Sequence, residues 1–124
     1  MNYKASSVGT EISCTMYDIN TEILDNNNRL EQILLEALAK DNFRILDKVS
    51  HRFQPQGYTF VVLLAESHAA IHTFPEFNSL FFYLYSCRGE NDGRKTFEYL
   101  KENLNPSSVD FNTRPIIVKN NIIV

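Results

Sequence analysis

The feature that most constrains this chain is a six-residue apolar run, residues 60–65, followed at once by a polar, strand-like segment. The run has the composition of a buried strand. The next eleven residues, 66–76, contain a serine hydroxyl, two imidazoles and two carboxylates. These polar groups therefore emerge from the hydrophobic interior. There a hydroxyl and an imidazole within reach of each other interact strongly, because water competes poorly for either.

The two histidines of this segment do not predict a metal site. His68 and His72 are four residues apart, which on a strand puts both on one face about 13 Å apart. No third ligand of suitable type stands nearby. The two cysteines, Cys14 and Cys87, fit no metal spacing either, and an intracellular chain would normally keep them reduced.

Hydrophobic periodicity predicts two helices among several strands. Over residues 29–40 the apolar side chains recur at i, i+3, i+4, i+7 and i+8, which is typical of an amphipathic helix. A second helix is predicted over 94–103, ending before Pro106. Strands are predicted over 9–17, 44–52, 58–65, 68–74, 80–86 and 109–112, with a hairpin turn at 54–57.

This pattern predicts an α+β fold, a two-layer sandwich whose mostly antiparallel sheet carries two amphipathic helices on one face. Residues 1–124 form a single domain, since the length leaves no room for a second core. The strands near positions 67 and 80 are apolar on both faces, so we expect a dimer partner or a well-filled site on the other face. Residues 1–7 are expected to be loosely held, and the apolar segments 116–118 and 122–124 to pair with another element, such as a neighbouring subunit.

Charge and hydropathy exclude several classes of function. The net charge is −3 and the basic residues are scattered singly, which argues against nucleic-acid binding. No apolar run approaches the roughly 20 residues that a membrane span requires. No basic stretch followed by an apolar core marks the N-terminus as a secretion signal. We therefore expect a soluble, cytoplasmic protein.

Three sequence blocks, taken together, resemble a known family. The central block reads Glu-Ser-His-x-x-Ile-His-Thr-aromatic-Pro-Glu over 66–76; His-Arg-Phe-x-Pro-x-Gly precedes it at 51–57, and Ser86-Cys87 follows it. In order and spacing they resemble the short, pyruvoyl-dependent prokaryotic S-adenosylmethionine decarboxylase proenzymes. The resemblance extends from about Gly9 to about Leu104 and is densest over 51–87.

The resemblance implies a zymogen that cleaves itself autocatalytically at the Glu66-Ser67 bond. Attack of the Ser67 hydroxyl on the Glu66 carbonyl would give an ester, and removal of the Ser67 α-hydrogen would then release the Glu66 carboxylate. The products would be a beta chain of residues 1–66 and an alpha chain of residues 67–124 that begins with a covalent pyruvoyl group derived from Ser67. His72 would be the processing base, and Thr59 would be the processing hydroxyl, with threonine where serine is more usual.

The resemblance also implies the catalytic roles of a lyase. The pyruvoyl ketone would form a Schiff base with the substrate amine and accept the electrons released by decarboxylation, with Cys87 as proton donor. Phe53 would stack on adenine, and Glu76 would hold the ribose hydroxyls. The implied substrate is S-adenosyl-L-methionine for spermidine and other polyamine biosynthesis, and the implied assembly is a homodimer.

Several positions depart from the family pattern. Glu11 stands where histidine is usual, Thr15 where an acidic residue is usual, and Tyr83 where aspartate is usual; Phe-Asn-Ser at 77–79 replaces Tyr-Gly-Tyr. One alternative is therefore the same pyruvoyl chemistry on arginine or ornithine. A second is an unprocessed, non-catalytic subunit that regulates a partner. Intact Ser67, His72 and Cys87 argue against the second.

Overall fold

A single antiparallel sheet carries the polar central segment. The computed structural model describes residues 6–119. Its strands are β1 (Val8–Tyr17), β2 (Ile45–Arg52), β3 (Tyr58–Leu64), β4 (Ser67–Phe74), β5 (Ser79–Ser86) and β6 (Ser108–Ile117). Its helices are α1 (Thr21–Leu24), α2 (Asn27–Lys40) and α3 (Arg94–Leu104), with a 3-10 turn at Pro75–Phe77. The strand order is β2-β3-β4-β5-β1-β6, so β4 and β5 lie in the middle of the sheet.

Alternation along the strands divides the sheet into a helix-covered face and an open face. In β1, Ile12, Cys14 and Met16 are buried while the residues between them are only half-buried. The same alternation in β3 and β5 directs one row of side chains toward the helices. Each fully buried Leu, Ile or Phe contributes about 1.5–3 kcal/mol, so this row is the main stabilising layer.

The helices pack on that row through their apolar sides. For α2 this is the apolar side predicted over residues 29–40. The buried positions of α2 are Leu30, Ile33, Leu34, Ala37 and Leu38. Asn26 caps α2 by accepting a hydrogen bond from the Arg29 amide at 3.1 Å. At the other end of α2, Asp41 Oδ2 accepts from both the amide and the hydroxyl of Thr96 at 2.7 Å, which joins α2 to the first turn of α3.

The predicted two-layer α+β sandwich is confirmed, with differences at its edges. The short helix α1 was not predicted, because four residues are too few to show a periodic stripe. The last strand is longer than predicted, since β6 pairs with β1 along its whole length and tolerates Pro115 at the sheet edge. Ile116 and Ile117 therefore pair with β1 of their own chain along one edge of β6. The expectations for residues 1–5 and 122–124 lie outside the described part of the chain.

In the described part of the chain, no helix or strand covers the face of the sheet opposite the helices. At the β2-β3 end it presents exposed apolar side chains, Val49 and Leu63, on either side of Val61. Toward β5 and β1 it presents tyrosines and charged groups. No helix within residues 6–119 is long and apolar enough to cross a bilayer.

Candidate active site

The predicted cleavage site and the predicted proton donor meet at one end of β4. Ser67 is the first residue of β4 and pairs with Ser86, the last residue of β5. The Cys87 amide donates to the Ser67 hydroxyl at 3.3 Å, and the Cys87 thiol lies 2.6 Å from the Glu66 carbonyl oxygen. Ser67 and Cys87 are 6% and 8% exposed, so the hydroxyl and the thiol are both shielded from bulk water. The expectation that the Cys87 strand lies beside the Ser67 strand is confirmed.

A glycine lets β1 approach this end of the sheet. A Cβ atom at Gly9 would lie 2.3 Å from the Ser86 carbonyl oxygen and 3.2 Å from the Cys87 Cα. Because the first of these is backbone, any side chain at position 9 would push β1 away from the Cys87 segment. The next residue, Thr10, donates its hydroxyl to the Gly89 carbonyl at 2.7 Å. Strand β1 therefore supports the segment that carries the thiol.

The predicted processing base and processing hydroxyl contact each other elsewhere. Thr59 and His72 are cross-strand partners in β3 and β4, and Thr59 Oγ1 lies 3.0 Å from His72 Nδ1. Both side chains are half-buried on the open face. A hydroxyl can donate or accept, so it suits either tautomer of the imidazole. The sequence did not predict this contact, and the role of Thr59 as the processing hydroxyl stays a prediction.

Within one chain, the base is far from the bond it is predicted to act on. Ser67 and His72 are both in β4, five positions apart. At about 3.3 Å per residue this separation is roughly 16 Å, and an odd separation puts the two side chains on opposite faces. The predicted site residues thus form two separate groups in the chain, which we call half-sites. One is the Glu66, Ser67 and Cys87 cluster, and the other is the Thr59 and His72 pair.

Both predicted substrate-binding residues lie with the second half-site. Phe53 follows β2 and is 47% exposed, with its ring edge-on to His51 at a centroid distance of 4.6 Å. Glu76 lies in the 3-10 turn that follows β4. Its Oε2 accepts from Gln56 Nε2 at 3.2 Å, which joins this turn to the hairpin loop that follows Phe53. An exposed ring and an exposed carboxylate are thereby held at the same end of the sheet.

Two of the departures from the family pattern bind each other on the open face. Tyr83 donates its hydroxyl to Glu11 at 2.7 Å, and Arg114 donates to the other Glu11 oxygen at 2.9 Å. These hydrogen bonds, Tyr83 first, lower the pKa of Glu11 below its ordinary 4.5. Burial, followed by the bond to Glu11, raises the pKa of Tyr83 to about 12. Sequence reasoning noted both departures but not their pairing, because β5 and β1 are distant in the sequence.

The Glu11 cluster gives a pH-dependent contribution to stability. A carboxylate whose pKa is lower in the folded than in the unfolded chain stabilises the fold at pH values above its unfolded pKa. This stabilisation is lost as the pH falls through the pKa of the folded chain. The Glu11→Gln variant should therefore have a lower free energy of unfolding than the unchanged chain, and this deficit should be larger near pH 7 than near pH 3. Urea unfolding followed by circular dichroism measures it. The control is Glu102→Gln, at an exposed position on α3, which should unfold with the same free energy as the unchanged chain at both pH values. If Glu11→Gln lowers the free energy of unfolding equally at both pH values, the prediction is wrong.

Comparisons with known proteins agree on one family. The family model described as S-adenosylmethionine decarboxylase matches residues 10–115. The chain is similar to the S-adenosylmethionine decarboxylase proenzyme of Thermosipho melanesiensis, with 38% identity over 83% of this chain and 79% of the relative. It is also similar to the proenzyme of Picrophilus torridus, with 27% identity over 85% and 81% of the two chains.

Solved structures resemble the whole fold. The crystal structure of the adenosylmethionine decarboxylase from Aquifex aeolicus superposes with a TM-score of 0.83 and 26% identity, covering 97% of this chain and 99% of that one. The Trypanosoma brucei AdoMetDC-delta26 monomer shares the fold at a TM-score of 0.60 and 17% identity, covering 82% of this chain and 44% of that one. These matches confirm the resemblance predicted from the three sequence blocks.

Proposed function

Because this chain belongs to the S-adenosylmethionine decarboxylase family, we propose that it is a self-processing, pyruvoyl-dependent decarboxylase of S-adenosylmethionine. The observation that carries the proposal is the position of Cys87 at the start of β4, where its thiol contacts the Glu66 carbonyl and its amide donates to the Ser67 hydroxyl. A cytoplasmic enzyme of this kind would supply an aminopropyl donor for spermidine synthesis.

The chain's own residues suit the processing reaction. The Ser67 hydroxyl attacks the Glu66 carbonyl, and the amide becomes an ester that is easier to break. A base then takes the Ser67 α-hydrogen, and the Glu66 carboxylate leaves as the new end of the 1–66 chain. The dehydroalanine that remains at position 67 is hydrolysed by water to a pyruvoyl group with loss of ammonia. Burial of Ser67 supports this route, since little water reaches the ester before elimination. Position 67 thus suits a pyruvoyl group, which as an electron sink makes the decarboxylation of an amino acid feasible.

The distance between the two half-sites supports a homodimer with shared active sites. A two-fold axis through the open face would lay one sheet on the other and bring the Ser67 end of one copy over the His72 end of the second. The exposed apolar side chains Val49 and Leu63 on that face support such a contact. Each active site would then take Ser67 and Cys87 from one protomer, and Thr59 and His72 from the other.

The remaining residues bind the substrate and move its proton. Phe53 is exposed enough to stack on an adenine ring, and the Glu76 carboxylate accepts hydrogen bonds from ribose hydroxyls. Both belong to the same half-site as His72, so in the dimer they would hold the nucleoside of a substrate whose amino acid end lies near Cys87. The Cys87 thiol would give its proton to the substrate carbon that loses carbon dioxide.

Release of carbon dioxide from three carboxyl-labelled substrates tests the choice of substrate. We expect turnover of S-adenosylmethionine and at least about 100-fold less with arginine or ornithine, because neither amino acid offers an adenine or a ribose to Phe53 and Glu76. Phe53→Ala should raise KM for S-adenosylmethionine more than it lowers kcat. A switch to the alternative substrates would show at Glu11 and Tyr83, because both positions depart from the family pattern. Turnover of an amino acid with S-adenosylmethionine inert would contradict the proposed substrate.

A further inference from the structure

One arginine that the proposed mechanism does not use holds the segment after Cys87. Arg88 and Asp92 form a bidentate ion pair, with Nε to Oδ2 at 2.7 Å and Nη2 to Oδ1 at 3.0 Å. The two side chains are only 25% and 17% exposed. A bidentate pair fixes the plane of the guanidinium as well as its position. The turn from Cys87 to the start of α3 is therefore closed by its own side chains.

The same guanidinium is anchored to the end of α2. It donates from Nη2 to the Asp41 carbonyl at 2.7 Å and from Nη1 to the Asn42 carbonyl at 3.3 Å. Its central carbon lies 3.8 Å from the centroid of the Phe43 ring, which is close cation-π stacking. Residues far apart in the sequence thus fix the position of the residue next to Cys87.

The residue on the other side of Cys87 binds the same carboxylate. Ser86 donates its hydroxyl to Asp92 Oδ2 at 2.6 Å and accepts from the Arg88 amide at 3.2 Å. Burial raises the pKa of Asp92, but the hydrogen bonds from Arg88 and Ser86 outweigh it and lower the pKa overall. Asp92 is therefore ionised at neutral pH, and the two residues that flank Cys87 are tied to one charged group.

We propose that Arg88 is a positioning residue, which holds the Cys87 thiol against position 67 and so controls which carbon receives the proton. This inference rests on the proposed function. In the productive outcome the thiol proton goes to the substrate carbon that lost carbon dioxide, and water then reprotonates the thiolate. In the failed outcome a solvent proton goes instead to the α-carbon of position 67, and the substrate nitrogen stays bound to that carbon. Hydrolysis by water then releases the rest of the substrate as an aldehyde, leaving alanine at position 67.

The first test measures the reactivity of the thiol without any substrate. Purified unchanged chain, Arg88→Ala and Arg88→Lys are treated with iodoacetamide, and modification of each cysteine is followed by peptide mass spectrometry. We expect Cys87 to react about fivefold faster in Arg88→Ala, because a buried thiol is released when its segment opens. Buried Cys14, on the helix-covered face, should change by less than about twofold and serves as the internal reference. Arg88→Lys keeps the charge but loses the bidentate pair, so it should lie between the two.

The second test counts failed turnovers. After incubation with S-adenosylmethionine, N-terminal sequencing of the alpha chain detects alanine, whereas a pyruvoyl terminus is blocked. Arg88→Ala should give about tenfold more alanine-terminated chain per product formed, a misdirection of roughly 1.4 kcal/mol. The matched control is Arg94→Ala, which removes an exposed arginine paired with Glu98 at 3.2 Å and should behave as the unchanged chain.

The outcomes separate this inference from the proposed function. If Arg88→Ala matches the unchanged chain in both thiol reactivity and alanine fraction, the inference is wrong, even when its melting temperature falls. If the unchanged chain is never processed, the proposed function fails, and the iodoacetamide test alone decides whether Arg88 holds the Cys87 thiol in place. Should Arg88→Ala fail to fold, Arg88→Lys decides by the same two measurements.

Discussion

Replacing Ser67 with alanine is expected to abolish self-cleavage, leaving one species of 14.3 kDa where the unchanged chain gives fragments 1–66 and 67–124. The hydroxyl is the nucleophile of the proposed reaction, and alanine offers none. Uncatalysed cleavage of an ordinary peptide bond is too slow to detect over the same incubation. Intact-mass spectrometry of freshly purified protein, repeated over several days, measures the two outcomes directly.

Ser79→Ala is the matched control for this experiment. Ser79 is also a buried serine at the start of a central strand, and its hydroxyl is bound to the Phe77 carbonyl at 2.8 Å. We expect this variant to be cleaved like the unchanged chain. If the unchanged chain itself stays whole and resists both hydrazine and borohydride with an amine, the enzymatic proposal fails. The non-catalytic regulatory subunit would then be the better account.

The second large effect is expected from mixing two inactive variants. Ser67→Ala and His72→Ala chains, carrying different tags, should each remain whole when expressed alone. When they are co-expressed, the His72→Ala chain should be cleaved, because its intact Glu66-Ser67 bond would lie near the intact His72 of a Ser67→Ala partner. The expectation follows from the roughly 16 Å and the opposite faces that separate the two residues on one strand.

A double variant provides the control for complementation. A chain with both Ser67→Ala and His72→Ala supplies no working histidine, so it should not rescue the His72→Ala chain. Rescue by the Ser67→Ala chain alone would locate the base on the second copy. Two results would contradict the shared site. One is cleavage of the His72→Ala chain at the normal rate when it is expressed alone, and the other is no cleavage when the Ser67→Ala and His72→Ala chains are co-expressed.

Much of the fold followed from periodicity. The stripe over 29–40 correctly predicted the face of α2 that packs on the sheet, because a 3.6-residue repeat has only one apolar side. The turn at 54–57 and the strands on either side of it were also predicted correctly. The predicted roles of Ser67, His72, Cys87, Thr59, Phe53 and Glu76 stay predictions. What the structure adds is their grouping into two half-sites.

The misses have a common physical cause. Helix α1 was too short for a periodic signal, and the length of β6 depends on its pairing with β1, more than 90 residues away in the chain. No sequence pattern singled out Arg88 or Asp92. Their contacts with Ser86 and with the end of α2 depend on how the loop after β5 meets the helix layer.

The amino-acid sequence by itself determined the chemical groups, the secondary structure that carries them and the family to which they belong, because these depend on residue type and local spacing. The tertiary structure decided which groups are neighbours: Cys87 with Glu66 and Ser67, His72 with Thr59, and Glu11 with Tyr83. Strand order is set by burial and pairing summed over the whole sheet, and no local pattern records that sum.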